Sequence, residues 1–204
     1  LERGRYFDMG VPTVLDLFSG YGGFQLGLRI AYPEFQFKTV AYVDWDEYAQ
    51  KILRARIADG VLDDAPIWGG DIRDFDPNPW RGLVDIIVAS FPCQPHSFNG
   101  SRKVAKGIVD DRDLWPATLG TISAIRPRAA ILENVSGIVS CDDLEPAYVG
   151  SVVGSMAAIG FNSRIDVIPA SFTGAPHKRN RWWCIAVADA DGFGSQGDKP
   201  IWST

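Results

Sequence analysis

Val84-Asp85-Ile86-Ile87-Val88-Ala89-Ser90-Phe91-Pro92-Cys93-Gln94-Pro95 joins an apolar run to a cysteine flanked by prolines. Apolar, β-branched runs of this length read as a strand buried on both faces. The prolines on either side of Cys93 deny a helix to the next residues and stiffen the exit from the strand. A thiol is thereby held at the carboxyl end of a central strand, the edge at which open α/β sheets bind ligands. The position suits a nucleophile. It equally suits a small core residue, since free cysteine is among the most buried residue types.

Strand-like runs alternate with helical patterns on both sides of this stretch. Residues 13–18 are predicted as a first buried strand, followed by a glycine-rich turn and a helix through Leu26, Leu28 and Ile30. Residues 35–43 read as a second strand, and Asp46 is placed to cap a helix carrying Tyr48, Ala49, Ile52 and Leu53. Residues 67–70, 84–90 and 129–132 give the third, fourth and fifth strands. Trp115, Leu119, Ile122 and Ile125 repeat at helical spacing, as do Leu144, Tyr148, Val152 and Met156. Phe161, Ser163, Ile165 and Val167 alternate as in a half-buried strand, and residues 181–188 form the last one. The pattern predicts an α/β fold: a mostly parallel sheet with helices on both faces. Its last two strands, joined without a helix, form an antiparallel edge pair.

A chain of 204 residues with 46% hydrophobic content is ample for one globular domain. No apolar run approaches the ~20 residues of a membrane span, and residues 1–10, polar and mixed in charge, are no signal peptide. Cys93, Cys141 and Cys184 are odd in number and widely spaced, and His96 and His177 are far apart. They form neither a metal-ligand pattern nor a disulfide framework, which predicts no metal site and a reducing, cytoplasmic setting. The formal net charge of −5 is concentrated in residues 40–85, where ten acids face five bases. Arg102, Lys103 and Lys106, and then Lys178, Arg179 and Arg181, are locally basic. Local field steers a polyanion more than total charge does, although scattered bases are also what a solvated surface carries.

Asp16-Leu17-Phe18-Ser19-Gly20-Tyr21-Gly22-Gly23 follows the first strand. Glycines at a strand-to-helix turn let a ligand approach the backbone. After Gly20 and Gly22 a dinucleotide fingerprint requires glycine where Gln25 stands, and no Gly-Lys-Ser/Thr follows. The loop is thus built for neither a pyrophosphate nor a triphosphate. Asp44 ends the second strand, where doubly wound folds bind ribose hydroxyls. Trp45 offers a flat face for adenine, and Asp71, ending the third strand, an acceptor for its exocyclic amine. A ligand with ribose, adenine and no phosphate fits S-adenosylmethionine; the alternative is that Asp44 and Asp46 only cap the helix and Trp45 is core. Glu133 ends the fifth strand, where a carboxyl group either bonds a substrate nitrogen or caps a neighbour. Arg179 and Arg181, two apart, point the same way if they lie on a strand, which suits oriented contacts to a carbonyl or a carboxylate.

On these residues the chain resembles the catalytic domain of the DNA (cytosine-5)-methyltransferases. Residues 16–23 are similar to that family's cofactor loop. Asp44-Trp45-Asp46 resembles its ribose and adenine motif, with Asp where Glu is usual, and Gly70-Asp71-Ile72 its adenine-edge motif. Phe91-Pro92-Cys93-Gln94-Pro95, continuing to Ser97 and Gly100, resembles the nucleophile loop, and Asp111-Arg112-Asp113-Leu114-Trp115 the segment that closes it. Glu133-Asn134-Val135 resembles the acid motif. His177-Lys178-Arg179-Asn180-Arg181 resembles a glutamine-x-arginine-x-arginine motif, with His177 in place of Gln; His96 stands where an aromatic apolar residue is common. The pieces occur in the family's order from about Thr13 to Ala186.

The resemblance implies a Rossmann-like methyltransferase fold, with residues 1–10 an N-terminal extension, 11–188 the cofactor-binding and catalytic domain, and 189–204 a linker. It implies methyl transfer from S-adenosyl-L-methionine to C5 of cytosine in double-stranded DNA. Cys93, Glu133, Arg179 and Arg181 would be catalytic, and Pro92, Gln94, Ser97 and Asn134 would contact the substrate. Asp16, Phe18, Gly20, Gly22, Gly23, Asp44, Trp45, Asp71 and Ile72 would hold the cofactor. A bacterial or phage-infected cell, a restriction–modification setting and a monomeric intact enzyme are what it leads one to expect. The family's target-recognition part and returning final segment lie outside these 204 residues, so weak activity is expected of the chain alone. Three readings compete: an RNA cytosine-5 methyltransferase, a non-catalytic nucleoside-binding module and, disfavoured by glycine spacing, a nicotinamide-dependent dehydrogenase.

Overall fold

The computed structural model describes residues 10–92, 113–139 and 148–189. Seven strands form one sheet: β1 (Thr13–Leu17), β2 (Lys38–Val43), β3 (Ile67–Trp68), β4 (Ile86–Ala89), β5 (Ala129–Val135), β6 (Phe161–Pro169) and β7 (Asn180–Ala188). Their order is β3-β2-β1-β4-β5-β7-β6. The first five pair in parallel, and β7 runs antiparallel between β5 and β6. The expected antiparallel pair is therefore at one edge, with the last strand in chain order on its inner side.

Strand alternation sends successive side chains to opposite faces, and each face meets its own helices. Leu15, Leu17, Ile87, Leu132 and Trp182 pack on one face with α3 (Trp115–Ile125) and α4 (Tyr148–Ala158) through Ile122, Ile125, Val152 and Met156. On the other face Val14, Ile86 and Val88 meet Phe24 and Leu28 of α1 (Gly23–Ala31). Next to them Tyr42 meets Leu53 and Ile57 of α2 (Glu47–Ala58). β4 is buried at all four positions, because both faces of the sheet are covered there. Asp46 caps α2 as expected, accepting the Ala49 N–H at 2.7 Å.

Some boundaries differ from expectation. β2 starts at Lys38: Phe35 is exposed in a turn whose N–H reaches the Tyr32 carbonyl. β3 ends at Trp68, and β4 is shorter than the apolar run at both ends. β5 runs three residues past Leu132, because β7 pairs with it from Ala129↔Val187 to Val135↔Arg181. β6 departs most. Phe161 is buried, but Ile165 and Val167 are 45% and 38% exposed. As an edge strand β6 pairs on one side, and Phe161 at its start is the β6 residue that enters the core with α4. Ile30 lies on the outer side of α1, 81% exposed, and Leu144 lies outside the described residues.

Candidate active site

The carboxyl tips of β1 and β2 are tied together by a loop of unusual backbone. Phe18, Gly20 and Gly22 have φ of 56°, 55° and 74°, the left-handed region. Phe18 is not glycine, so its conformation costs on the order of 1–2 kcal/mol, met by the bonds around it. The Ser19 N–H donates to the Val43 carbonyl at 3.1 Å, and its hydroxyl accepts from the Val43 N–H at 3.1 Å. That hydroxyl in turn donates to the Asp16 carbonyl at 2.6 Å. Gly22 has no room for a side chain, since a Cβ there would sit 2.6 Å from Leu62 Cδ1. Gly23, which opens α1, has open space around it.

Beside this loop lies a cleft of about 390 Å³. Phe18, Asp44, Trp45, Asp71, Ile72 and Pro92 line it, together with Val43, Gly70, Arg73 and Leu114. Trp45 presents its ring to solvent, 75% exposed. Asp44 is nearly buried and braces the loop: Oδ2 accepts the Gly20 N–H at 2.7 Å and Oδ1 the Asp46 N–H at 2.9 Å. Asp71 is gripped by Arg73, whose hydrogen bonds hold its carboxyl below the usual carboxylate range. Gly70 has Trp68 directly against it, 2.7 Å from where a Cβ would be, and Trp68 packs edge-on against Phe75. Asp16 does not line the cleft. It is 1% exposed, and neither carboxylate oxygen has a hydrogen-bond partner among the described residues. Burial, reinforced by the charge of Asp44, pushes its carboxyl up to about 8. A larger hollow of about 700 Å³ lies near the amino ends of β1 and β2, lined by Val11, Arg29, Phe37 and Lys38 among others. It is remote from the strand tips that carry the acids.

At the tips of β4 and β5 a second cluster forms. Glu133 is half-buried between two partners: Arg181 Nε lies 2.9 Å from Oε1, and the Ser90 hydroxyl donates to Oε2 at 2.7 Å. Register explains this, because Ala89 pairs with Leu132 and the next residues along both parallel strands are Ser90 and Glu133. Asn134, on the opposite face, is 3% exposed, and its Nδ2 donates to the Phe91 carbonyl at 2.9 Å. Its amide thus holds the chain as it leaves β4, one residue before Pro92 reaches the cleft.

Arg179 does not join Arg181. It precedes β7, has φ of 35° and is exposed, so strand alternation does not apply to the pair and the same-face expectation fails. His177 is exposed in the same turn. Cys93, Gln94 and Ser97 lie outside the described residues, as do His96, Arg102, Lys103, Lys106, Asp111 and Arg112. Ser90, Arg73 and Leu114 are among the contributors that the sequence reading did not single out as site residues. Ser90 is signalled by being the polar residue that ends the fourth apolar run. Arg73 is signalled by its place two residues after Asp71, and Leu114 by the segment it shares with Trp115.

Comparison with known proteins shows the family and the fold. A family model described as C-5 cytosine-specific DNA methylase matches residues 12–194. The type II methyltransferase M.Eco47II of Escherichia coli is 32% identical over 192 residues, 90% of this chain and 42% of that protein. M.HaeII of Haemophilus aegyptius is 30% identical over 188 residues, 92% of this chain and 53% of that one. The chain thus spans about half the length of the curated relatives it matches. Among solved structures, DNMT2 of Spodoptera frugiperda superposes with a TM-score of 0.66 at 21% identity, covering 92% of this chain and 54% of that one. The Entamoeba histolytica methyltransferase EhMeth does so with a TM-score of 0.69 at 17% identity, covering 93% and 56%. The fold is the Rossmann-like methyltransferase fold, and the chain belongs to the C-5 cytosine-specific DNA methylase family.

Proposed function

We propose that this chain carries the cofactor-binding and chemical half of an enzyme that transfers a methyl group from S-adenosylmethionine to C5 of cytosine in double-stranded DNA. One observation carries the reading. Ser90 binds the acid Glu133, and Pro92, two residues further on, lines the cleft, so the segment leaving β4 toward Cys93 touches both halves of the site.

The lining of the cleft fits the cofactor. It offers the aromatic faces of Phe18 and Trp45 and the carboxylates of Asp44 and Asp71, which accept hydroxyl and amine hydrogens and repel phosphate. When bound, S-adenosylmethionine supplies an electrophilic methyl group on a sulfonium. Cytosine C5 is a poor nucleophile. In the proposed mechanism the Cys93 thiolate adds to C6, forming an S–C bond and moving the ring electrons toward C5. A proton held between Glu133 and N3 joins the two and neutralises the negative charge that attack at C6 develops on N3. Arg181 holds Glu133 and bonds the cytosine carbonyl oxygen. With the methyl group on C5 and S-adenosylhomocysteine left behind, a base would remove the C5 proton and the Cys93 sulfur would leave by elimination, restoring the ring. Asn134 positions the nucleophile segment through Phe91. Inside a duplex the target base must be flipped out, at a few kcal/mol of unstacking. Arg102, Lys103 and Lys106 follow Cys93 and would contact the phosphate backbone. In this reading the enzyme works in the cytoplasm, and the intact protein is a monomer.

The test is covalent capture. With S-adenosylmethionine present, the chain should form a denaturation-resistant adduct with duplex DNA containing 5-fluorocytosine, and Cys93→Ser should form none. An adduct with tRNA in preference to DNA would move the substrate to RNA. Cofactor binding without any adduct would leave a nucleoside-binding module.

A further inference from the structure

We propose that Arg73 is a specificity-determining residue of the cleft: it fixes the Asp71 carboxylate so that one acceptor position faces a ligand N–H, and thereby selects a purine bearing an exocyclic amine. The inference rests on the nucleoside reading of the cleft given above.

Three N–H groups of Arg73 converge on Asp71. The backbone N–H and Nε–H reach Oδ1 at 3.0 and 2.9 Å, and Nη2 reaches Oδ2 at 2.5 Å. A carboxylate has about four acceptor positions, so this grip leaves one, on Oδ2. The backbone bond arises because Asp71 caps the short 3-10 turn Ile72–Asp74, which sets where the carboxyl group begins. The two-pronged side-chain contact then sets the plane of the carboxylate, as a guanidinium does and an ammonium cannot. Both residues line the cleft. Their side chains are 27% and 53% exposed, so the ion pair adds little to folding stability. Its consequence is orientation. A purine edge presenting N–H to the remaining position gains a hydrogen bond, whereas a carbonyl oxygen there meets a carboxylate and is rejected.

Calorimetry on the chain tests this with S-adenosylhomocysteine and S-inosylhomocysteine, in which a carbonyl replaces the amine. The parent chain should favour the adenosyl ligand by about tenfold or more, the worth of one well-made charged hydrogen bond. In Arg73→Lys and Arg73→Ala the ratio should fall to about threefold or less, mainly through weaker binding of the adenosyl ligand. Circular dichroism should show both variants folded. Lysine keeps the charge and loses the fork, so it separates orientation from electrostatics. A ratio unchanged in both variants, or equal weakening of both ligands, would overturn the role of Arg73 while the nucleoside reading stands. A parent chain that binds neither ligand would overturn both.

Discussion

At the scale of single residues, two carboxyl groups in this chain have opposite surroundings. Among the described residues Asp16 has no hydrogen-bond partner on either oxygen, and burial pushes its carboxyl up to about 8 from an ordinary 3.8. The folded chain therefore holds that proton more tightly than the unfolded one. Its contribution to stability is full below about pH 4 and is lost as pH rises through 8. Asp16→Asn keeps the shape without the charge. By linkage, at ~1.4 kcal/mol per pKa unit, it should exceed the parent in stability by about 2–5 kcal/mol at pH 8 and by less than about 1 kcal/mol at pH 4. Urea unfolding at both values measures it, and an equal difference at the two would mean that packing, not the proton, is responsible. Glu133 has both oxygens engaged, by Arg181 and by Ser90. Removing the hydroxyl frees one oxygen to rotate. Ser90→Ala should lower adduct formation with 5-fluorocytosine DNA about tenfold, the worth of one hydrogen bond to a charged group. Affinity for S-adenosylhomocysteine should be unchanged, and a loss there would place Ser90 in the cofactor cleft instead.

At the scale of elements, the turn between β1 and α1 works because backbone and packing demand the same residue. Gly22 combines a left-handed φ with contact against Leu62. Gly22→Ala should cost about 1–3 kcal/mol, from the backbone penalty and the clash together. Leu62→Ala in the same chain relieves the clash alone. Denaturant unfolding of the four-member cycle should give a double variant more stable than the two single losses added. Strict additivity would mean that the steric part is absent. This level was largely legible beforehand. The second, third and fifth apolar runs break at or just before an acid, so Asp44, Asp71 and Glu133 announce themselves, although β3 stops three residues short of Asp71 and β5 runs on past Glu133. Pairings set by register and by short-range geometry were not legible. That Ser90 meets Glu133 depends on how β4 and β5 align. That Arg73 grips Asp71 depends on a 3-10 turn no periodicity reveals. Arg179 read as the strand partner of Arg181 because two-residue spacing suggests it, and the positive φ before β7 breaks that spacing.

At the scale of the whole molecule, the two faces of the sheet are unequally covered. Described helices flank both faces around β1 and β4. Toward β7, Trp183 meets Phe24 of α1 edge-on at 5.9 Å. Beyond that contact, on the same face, Ile185 and Ile168 are 48% and 38% exposed. On the opposite face of β6, Ile165 and Val167 are exposed too. Among the described residues β6 is also an edge strand, with one side unpaired. Exposed apolar side chains beside an open edge favour association between chains. The alternating pattern of β6 promised a half-buried strand because alternation reports which side chains share a face, not whether anything covers that face. Ile185→Lys puts a charge where little packing is lost. It should shift sedimentation at high concentration toward the monomer and leave the thermal midpoint within about 2 °C of the parent, as surface changes usually do. A midpoint lowered by several degrees would instead show that Ile185 is packed in the folded chain, and the sheet face at β7 would have to be reckoned as core.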